Sequence, residues 1–182
     1  AVYQTILQES RNIQKHDFLL IGKKLNYSLS PLIYKLFGLD NYQLWEAKLF
    51  SEVVPLNYKG INITNPFKYD AFKYCTEVSD IARKLASVNL IIKDGNNLYG
   101  DNSDYYGFIK TLEYFQIDVK GKRALIIGNG ATAKMIAEAL KAQEAKSITF
   151  LVREVRSALE VSLKEYQDYQ EYELLINATP YG

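Results

Sequence analysis

The chain has 182 residues, of which 48% are hydrophobic and 24% charged, and its 22 Lys and Arg nearly cancel 21 Asp and Glu for a formal net charge of +1. This is the composition of a globular protein of one large or two small domains, without the broad positive surface that nucleic acid or an anionic membrane would require. One cysteine, Cys75, and one histidine, His16, leave no internal disulfide, Cys/His metal cluster or two-histidine catalytic site to build, and point to a reducing compartment.

Residues Ala1 to Lys15 are polar, with Val2, Ile6 and Ile13 as apolar anchors, and read as a helix or a lead-in segment. No basic stretch, apolar core and small-residue cleavage site mark a signal peptide there. No apolar run approaches the roughly 18 residues of a membrane helix. Phe18 to Ile21, followed by Gly22, predicts a short buried strand. Ser30 is placed to cap a helix that begins at Pro31 and runs along Leu32, Leu36 and Leu39. A second strand is expected within Tyr42 to Lys48. Ile61 and Ile63 alternate with Asn62 and Thr64 in a third strand that Pro66 stops. Helices are expected from Phe67 to Cys75 and from Val78 through Leu85. Val88 to Lys93 and Asn97 to Tyr99 predict a hairpin turning at Asp94-Gly95.

From Asp104 a helix is expected through Phe108, Leu112 and Phe115. Lys120, Lys122 and Arg123 form a local basic turn that reads as solvated. Ala124 to Ile127 is then a strand, Thr132 to Gln143 a helix, and Ile148 to Val152 a strand. A Tyr- and Glu-rich helix and a last strand, Leu174 to Ile176, complete the pattern. Such alternation predicts an α/β fold: a first domain of mixed strands and helices over residues 1–103, then a Rossmann-type parallel sheet with crossover helices over 104–182.

Several positions can carry chemistry. Gly128-Asn129-Gly130-Ala131-Thr132-Ala133 follows a buried strand and opens a helix, where glycines admit a pyrophosphate and the helix N-terminus favours its charge. A tight turn that binds nothing is the bland alternative. The next strand ends at Val152, followed by Arg153, Glu154 and Arg156. Arginines there favour NADP through its 2′-phosphate, whereas Glu154 would repel that phosphate if it turned inward. Ser28 and Ser30, two apart beside a helix start, can present hydroxyls and N–H groups to a carboxylate. Lys68 lies just beyond a strand end, and Asp104 lies at the expected domain junction, where clefts commonly form.

Taken in order, these pieces resemble the shikimate dehydrogenase family (shikimate/quinate dehydrogenases). They are Ser28-Leu29-Ser30-Pro31, Gly60 to Lys68, Ala86 to Asn89, Gly100 to Gly107, Gly128 to Ala133 and Asn177-Ala178-Thr179-Pro180. The resemblance implies NADPH-dependent, reversible reduction of 3-dehydroshikimate to shikimate, in aromatic amino-acid biosynthesis in the cytoplasm, with residues 1–103 as an N-terminal α/β substrate-binding domain and residues 104–182 as a partial Rossmann-type NADP-binding domain. It implies Ser28 and Ser30 on the substrate carboxylate, and Thr64, Asn89 and Asp104 on the ring hydroxyls. Lys68 becomes the proton donor and acceptor at the reacting oxygen, paired with Asp104. The glycine-loop residues, Arg153, Arg156, Asn177 and Thr179 would hold NADP. A small-molecule substrate, no nucleic acid, no membrane and a monomer or homodimer complete the expectation.

The chain departs from the family pattern at Tyr27, where histidine is usual, at Ser103 for threonine, and at Val152-Arg153-Glu154 for Asn-Arg-Thr. The stretch between Phe50 and Gly60 is short. The resemblance also implies further strands and C-terminal helices beyond Gly182, so the sequence is expected to be a fragment or to continue outside it. Quinate/shikimate dehydrogenase with relaxed cofactor use, kept open by Glu154, and a non-catalytic metabolite sensor are the alternatives. Methylenetetrahydrofolate dehydrogenase shares the architecture, but the Ser-x-Ser-Pro site argues against it.

Overall fold

A computed structural model describes residues 17–53, 55–164 and 171–179; the lead-in segment Ala1 to Lys15 lies outside them. The chain divides between Asn102 and Ser103 into two compact units. The first holds β1 (Phe18–Gly22), α1 (Ser30–Leu36), β2 (Tyr42–Glu46), β3 (Gly60–Ile63), α2 (Lys68–Tyr74), β4 (Glu77–Val78), α3 (Asp80–Leu85), β5 (Leu90–Asp94) and β6 (Asn97–Asp101). Its six-stranded sheet has the order β2-β1-β3-β5-β6-β4.

β1 sits between two parallel neighbours, with Ile21 opposite Trp45 on one side and Ile63 on the other. A strand so placed is covered on both faces, which accounts for its unbroken apolar run. Leu19 and Ile21 join Val53, Ile61, Val88 and Ile91 in the main core, while Leu20 points the other way to Leu25 and Tyr42. β5 runs antiparallel to β3 and forms a tight hairpin with β6, Asp94 facing Asn97 and Gly95 taking a positive φ of 57° in the turn. The C-terminal ends of β1, β3 and β6 and the start of β5 therefore lie along one edge of this sheet.

Three expectations need correction here. Ser30 is the first residue of α1 and caps nothing: the N-cap, Leu29, is already in the right-handed helical region, and the Ser28 hydroxyl accepts the Ser30 N–H at 3.2 Å. Leu32 and Leu36 do not face a core, for α1 has no buried residue and both are exposed. Val78 belongs to the short strand β4, and α3 begins after Ser79, whose hydroxyl accepts the Ala82 N–H.

The second unit holds α4 (Ser103–Tyr114), β7 (Arg123–Ile127), α5 (Ala131–Ala142), β8 (Ser147–Val152), β9 (Glu160–Ser162) and β10 (Leu174–Asn177). Its sheet, order β10-β7-β8-β9, is parallel throughout. α5 is the crossover between β7 and β8 and buries Ala133, Ile136, Ala137 and Leu140, a stripe of helical period. Parallel strands are usually joined by a helix, yet β8 reaches β9 through a loop, Arg153 to Leu159. β9 had no counterpart among the predicted elements. Among the described residues it pairs only with the tip of β8, Glu160 facing Phe150 and Ser162 facing Val152, so the loop has little height to recover. Most of the Tyr- and Glu-rich stretch expected to be helical lies outside the described residues. The basic turn is solvated and ion-paired, Lys120 with Glu144, Lys122 with Asp118 and Arg123 with Glu173.

Candidate functional sites in the two units

In the second unit β7 ends at Ile127 and the chain turns at once into the glycine loop. Gly128 has φ +100°, and a Cβ there would meet Thr179 Cγ2 at 3.1 Å. Any other residue would be strained and would crowd the neighbouring strand end, so glycine at this position is a structural requirement. The loop and the C-terminal ends of β8 and β10 enclose a cavity of about 600 Å³ lined by Gly128, Asn129, Gly130, Val152, Arg153 and Thr179, among others. The carboxyl ends of parallel strands are where open α/β sheets take their ligands. At the β10 end, Asn177 Oδ1 accepts the Thr179 N–H at 3.0 Å and its hydroxyl at 2.7 Å, which fixes the turn that closes the cavity.

Of the glycine-loop residues singled out from the sequence, Gly128, Asn129 and Gly130 line this cavity and Ala131, Thr132 and Ala133 do not. Ala133 is fully buried on the inner side of α5, and Thr132 is exposed. A small residue at Ala133 lets the helix approach the sheet closely. Arg153, Glu154 and Arg156, with Asn129 and Val152, line a smaller adjoining cavity of about 310 Å³. Glycine backbone, the N-terminus of a 12-residue helix and two guanidiniums are the donor set a dinucleotide bearing a 2′-phosphate needs, so the residues fit NADP.

One participant has no sequence motif. Glu160 Oε1 accepts from Asn129 Nδ2 at 3.1 Å, and Oε2 accepts the Arg156 N–H at 2.6 Å. The Asn129 amide, then the Arg156 backbone, hold this carboxyl below the usual carboxylate range. Glu160 thereby ties the glycine loop to the strand-tip loop. The only hint in the sequence is an asparagine amide inside the glycine loop, which wants an acceptor.

In the first unit, the backbone gathers the predicted substrate residues along the edge where β1 and β3 end. The Thr64 N–H donates to Ile21 O at 2.9 Å, the Ile63 N–H to Asn89 O at 2.8 Å, and the Val88 N–H to Lys68 O at 3.0 Å. Asn89 is buried, and its own N–H donates to Asp101 O. Ser28 Oγ donates to Ser30 Oγ at 3.1 Å, and Ser30 is hydrogen-bonded to the Tyr42 hydroxyl. Tyr42 and Tyr34, their rings stacked 4.0 Å apart, both donate to Asn62 Oδ1 at 3.0 Å. Burial first, and Tyr34 second, push the Tyr42 hydroxyl well above the ordinary phenol range, while the Ser30 contact pulls the other way. Sequence reading passed over this tyrosine pair. Asp104 sits in the first turn of α4, in the second unit.

A family model for the shikimate dehydrogenase substrate binding domain matches residues 20–91, and one for shikimate / quinate 5-dehydrogenase matches residues 111–179. The chain belongs to the shikimate dehydrogenase family. A shikimate dehydrogenase (NADP(+)) of Clostridium beijerinckii is 36% identical over 183 residues, covering 90% of this chain and 67% of the relative. One from Clostridium botulinum is 35% identical over 184 residues, covering 90% and 70%. Among solved structures, shikimate dehydrogenase 1 of Peptoclostridium difficile superposes with a TM-score of 0.78 at 31% identity, over 91% of this chain and 66% of that one. The Thermus thermophilus shikimate 5-dehydrogenase in complex with NADP(H) and shikimate gives 0.75 at 28% identity, over 89% and 67%. The chain thus spans about two thirds of the length of the family members it matches. Among the described residues no helix is long and apolar enough to cross a membrane, and no group of side chains could hold a metal ion.

Proposed function

We propose that this member of the family interconverts 3-dehydroshikimate and shikimate, using NADP(H) held in the second unit and substrate held on the first. The observation that carries the proposal is the glycine-loop cavity whose rim bears Arg153 and adjoins Arg156. That is the arrangement a phosphorylated dinucleotide requires, in a chain whose relatives are named for NADP(+). When bound, the reduced cofactor supplies hydride. The helix N-terminus and loop N–H groups hold the pyrophosphate, and the guanidiniums meet the 2′-phosphate.

On the substrate side, Ser28 and Ser30 bind the carboxylate, turning their hydroxyl protons outward from the Tyr42–Asn62 network. Thr64 and Asn89 hold ring hydroxyls, Asn89 from a buried position. Lys68, at the start of α2, donates a proton to the ketone oxygen during reduction and removes it during oxidation, and Asp104 is the carboxylate that works with it. Holding the reactants in one geometry contributes much of the acceleration. The small charge imbalance fits a protein without nucleic-acid partners, and the single cysteine fits a reducing, cytoplasmic setting; the protein acts there as a monomer or homodimer.

Lys68→Ala tests the assignment. Turnover of shikimate should fall by about 10²–10⁴ while shikimate still binds, the range one positioned acid/base group contributes. Undiminished turnover would remove Lys68 from the chemistry. A wild-type protein that binds shikimate and NADP but turns neither over would make it a sensor. Quinate, run in parallel, distinguishes the two substrates in the family's description.

A further inference from the structure

The strand-tip cavity of the second unit has an unusual charge balance for a phosphate site. Arg153 and Arg156 line it, but so does Glu154, and Glu160 lies against Arg156. The two carboxylates act on different parts of that arginine. Glu160 accepts the Arg156 main-chain N–H at 2.6 Å and the Asn129 amide at 3.1 Å, so the Arg156 backbone is anchored to the glycine loop. Glu154 Oε2 accepts from Arg156 Nη2 at 3.0 Å, so the guanidinium is already engaged. Both members of this pair are about three-quarters exposed, at 73% and 77%. An ion pair so open to water is weak and exchangeable, whereas a phosphate offers a larger charge and more oxygens to the same guanidinium.

Resting on the NADP reading above, we propose that Glu154 is an internal competitor for Arg156, displaced when a 2′-phosphate binds, and that it sets how strongly the protein separates NADP from NAD. Glu160 keeps the arginine in place during the exchange, because its hydrogen bond goes to the main chain and need not break. An acid at this strand tip can instead accept from the ribose hydroxyls of NAD. The two roles predict opposite effects of its removal.

The experiment is calorimetric titration of the protein with NADP, NAD and adenosine 2′,5′-bisphosphate, for wild type, Glu154→Gln, Arg156→Gln and the double variant. Glu154→Gln should tighten NADP and the bisphosphate by about three- to tenfold and leave NAD unchanged. The gain should shrink as ionic strength rises and vanish in the double variant, since the competitor acts only through Arg156. Unchanged NADP affinity in Glu154→Gln, weakened NAD, or a gain that persists without Arg156 would each overturn the proposal while leaving cofactor binding intact. A wild-type protein that binds none of the three ligands would overturn the cofactor reading and the proposal with it.

Discussion

Gly22 ends β1 at the edge where the backbones of Thr64, Lys68 and Asn89 gather, and replacing it by alanine tests that edge without touching a polar group. An added Cβ would lie 2.6 Å from Leu25 Cδ2 and 2.7 Å from Thr64 Cγ2. Ordinary carbon contacts begin near 3.5 Å, so both neighbours would have to retreat by most of an ångström. Leu25 is buried at 1% exposure and has little room. Thr64 is β-branched and stiff at χ1, and its N–H is tied to Ile21 O, so its backbone would move with it. Overpacking of this kind costs about 1–3 kcal/mol. Urea unfolding of Gly22→Ala should show that loss, and shikimate affinity should fall about tenfold if Thr64 contacts the ring. Gly60→Ala is the control, since its nearest contact would be Phe18 at 3.4 Å, an ordinary separation. Wild-type stability in Gly22→Ala would refute the packing described for this edge, and lost stability with unchanged shikimate affinity would take Thr64 out of the site.

Burial pushes the Cys75 thiol up to about 11, so its alkylation at pH 8 should run about ten- to a hundredfold slower in the native protein than in urea; equal rates would contradict its burial. Tyr58 is pushed up to about 12 by burial first and Cys75 second, and Tyr42 is raised as well. Because the fold favours the protonated form of all three, the unfolded chain loses these protons first, and stability should fall as pH rises from about 9 toward 12. A Tm that stays level between pH 8 and 10.5 would contradict this. Tyr42→Phe removes a donor to Asn62 and should cost about 1 kcal/mol in unfolding free energy while raising the KM for shikimate more than it lowers kcat; an unchanged KM would disconnect the tyrosine pair from Ser30.

Much of this organisation can be read from residue patterns because the relevant signals are local or ordered. The uninterrupted run Phe18 to Ile21 is what a strand with neighbours on both sides and covered faces requires, and β1 has both. Gly128 marks the loop because a φ of +100° and the nearby Thr179 leave its backbone little choice. β9 is a different case: Glu160-Val161-Ser162 is too short and too polar for an alternation pattern, and it is a strand only because Phe150 and Val152 offer it hydrogen bonds. Ser30 is not the cap its position suggests, because the helical conformation already begins at Leu29 and the Ser30 N–H goes to the Ser28 hydroxyl. Glu160 and the Tyr34–Tyr42–Asn62 cluster leave no local sequence signal because each joins residues far apart in the chain, where no spacing rule operates.

The account stands most directly on the initial rate of NADP reduction by the protein with shikimate, measured beside NAD and quinate. It predicts shikimate-dependent turnover that is faster with NADP than with NAD and is lost in Lys68→Ala. NADP and shikimate both binding, with turnover absent or indifferent to Lys68, would contradict it.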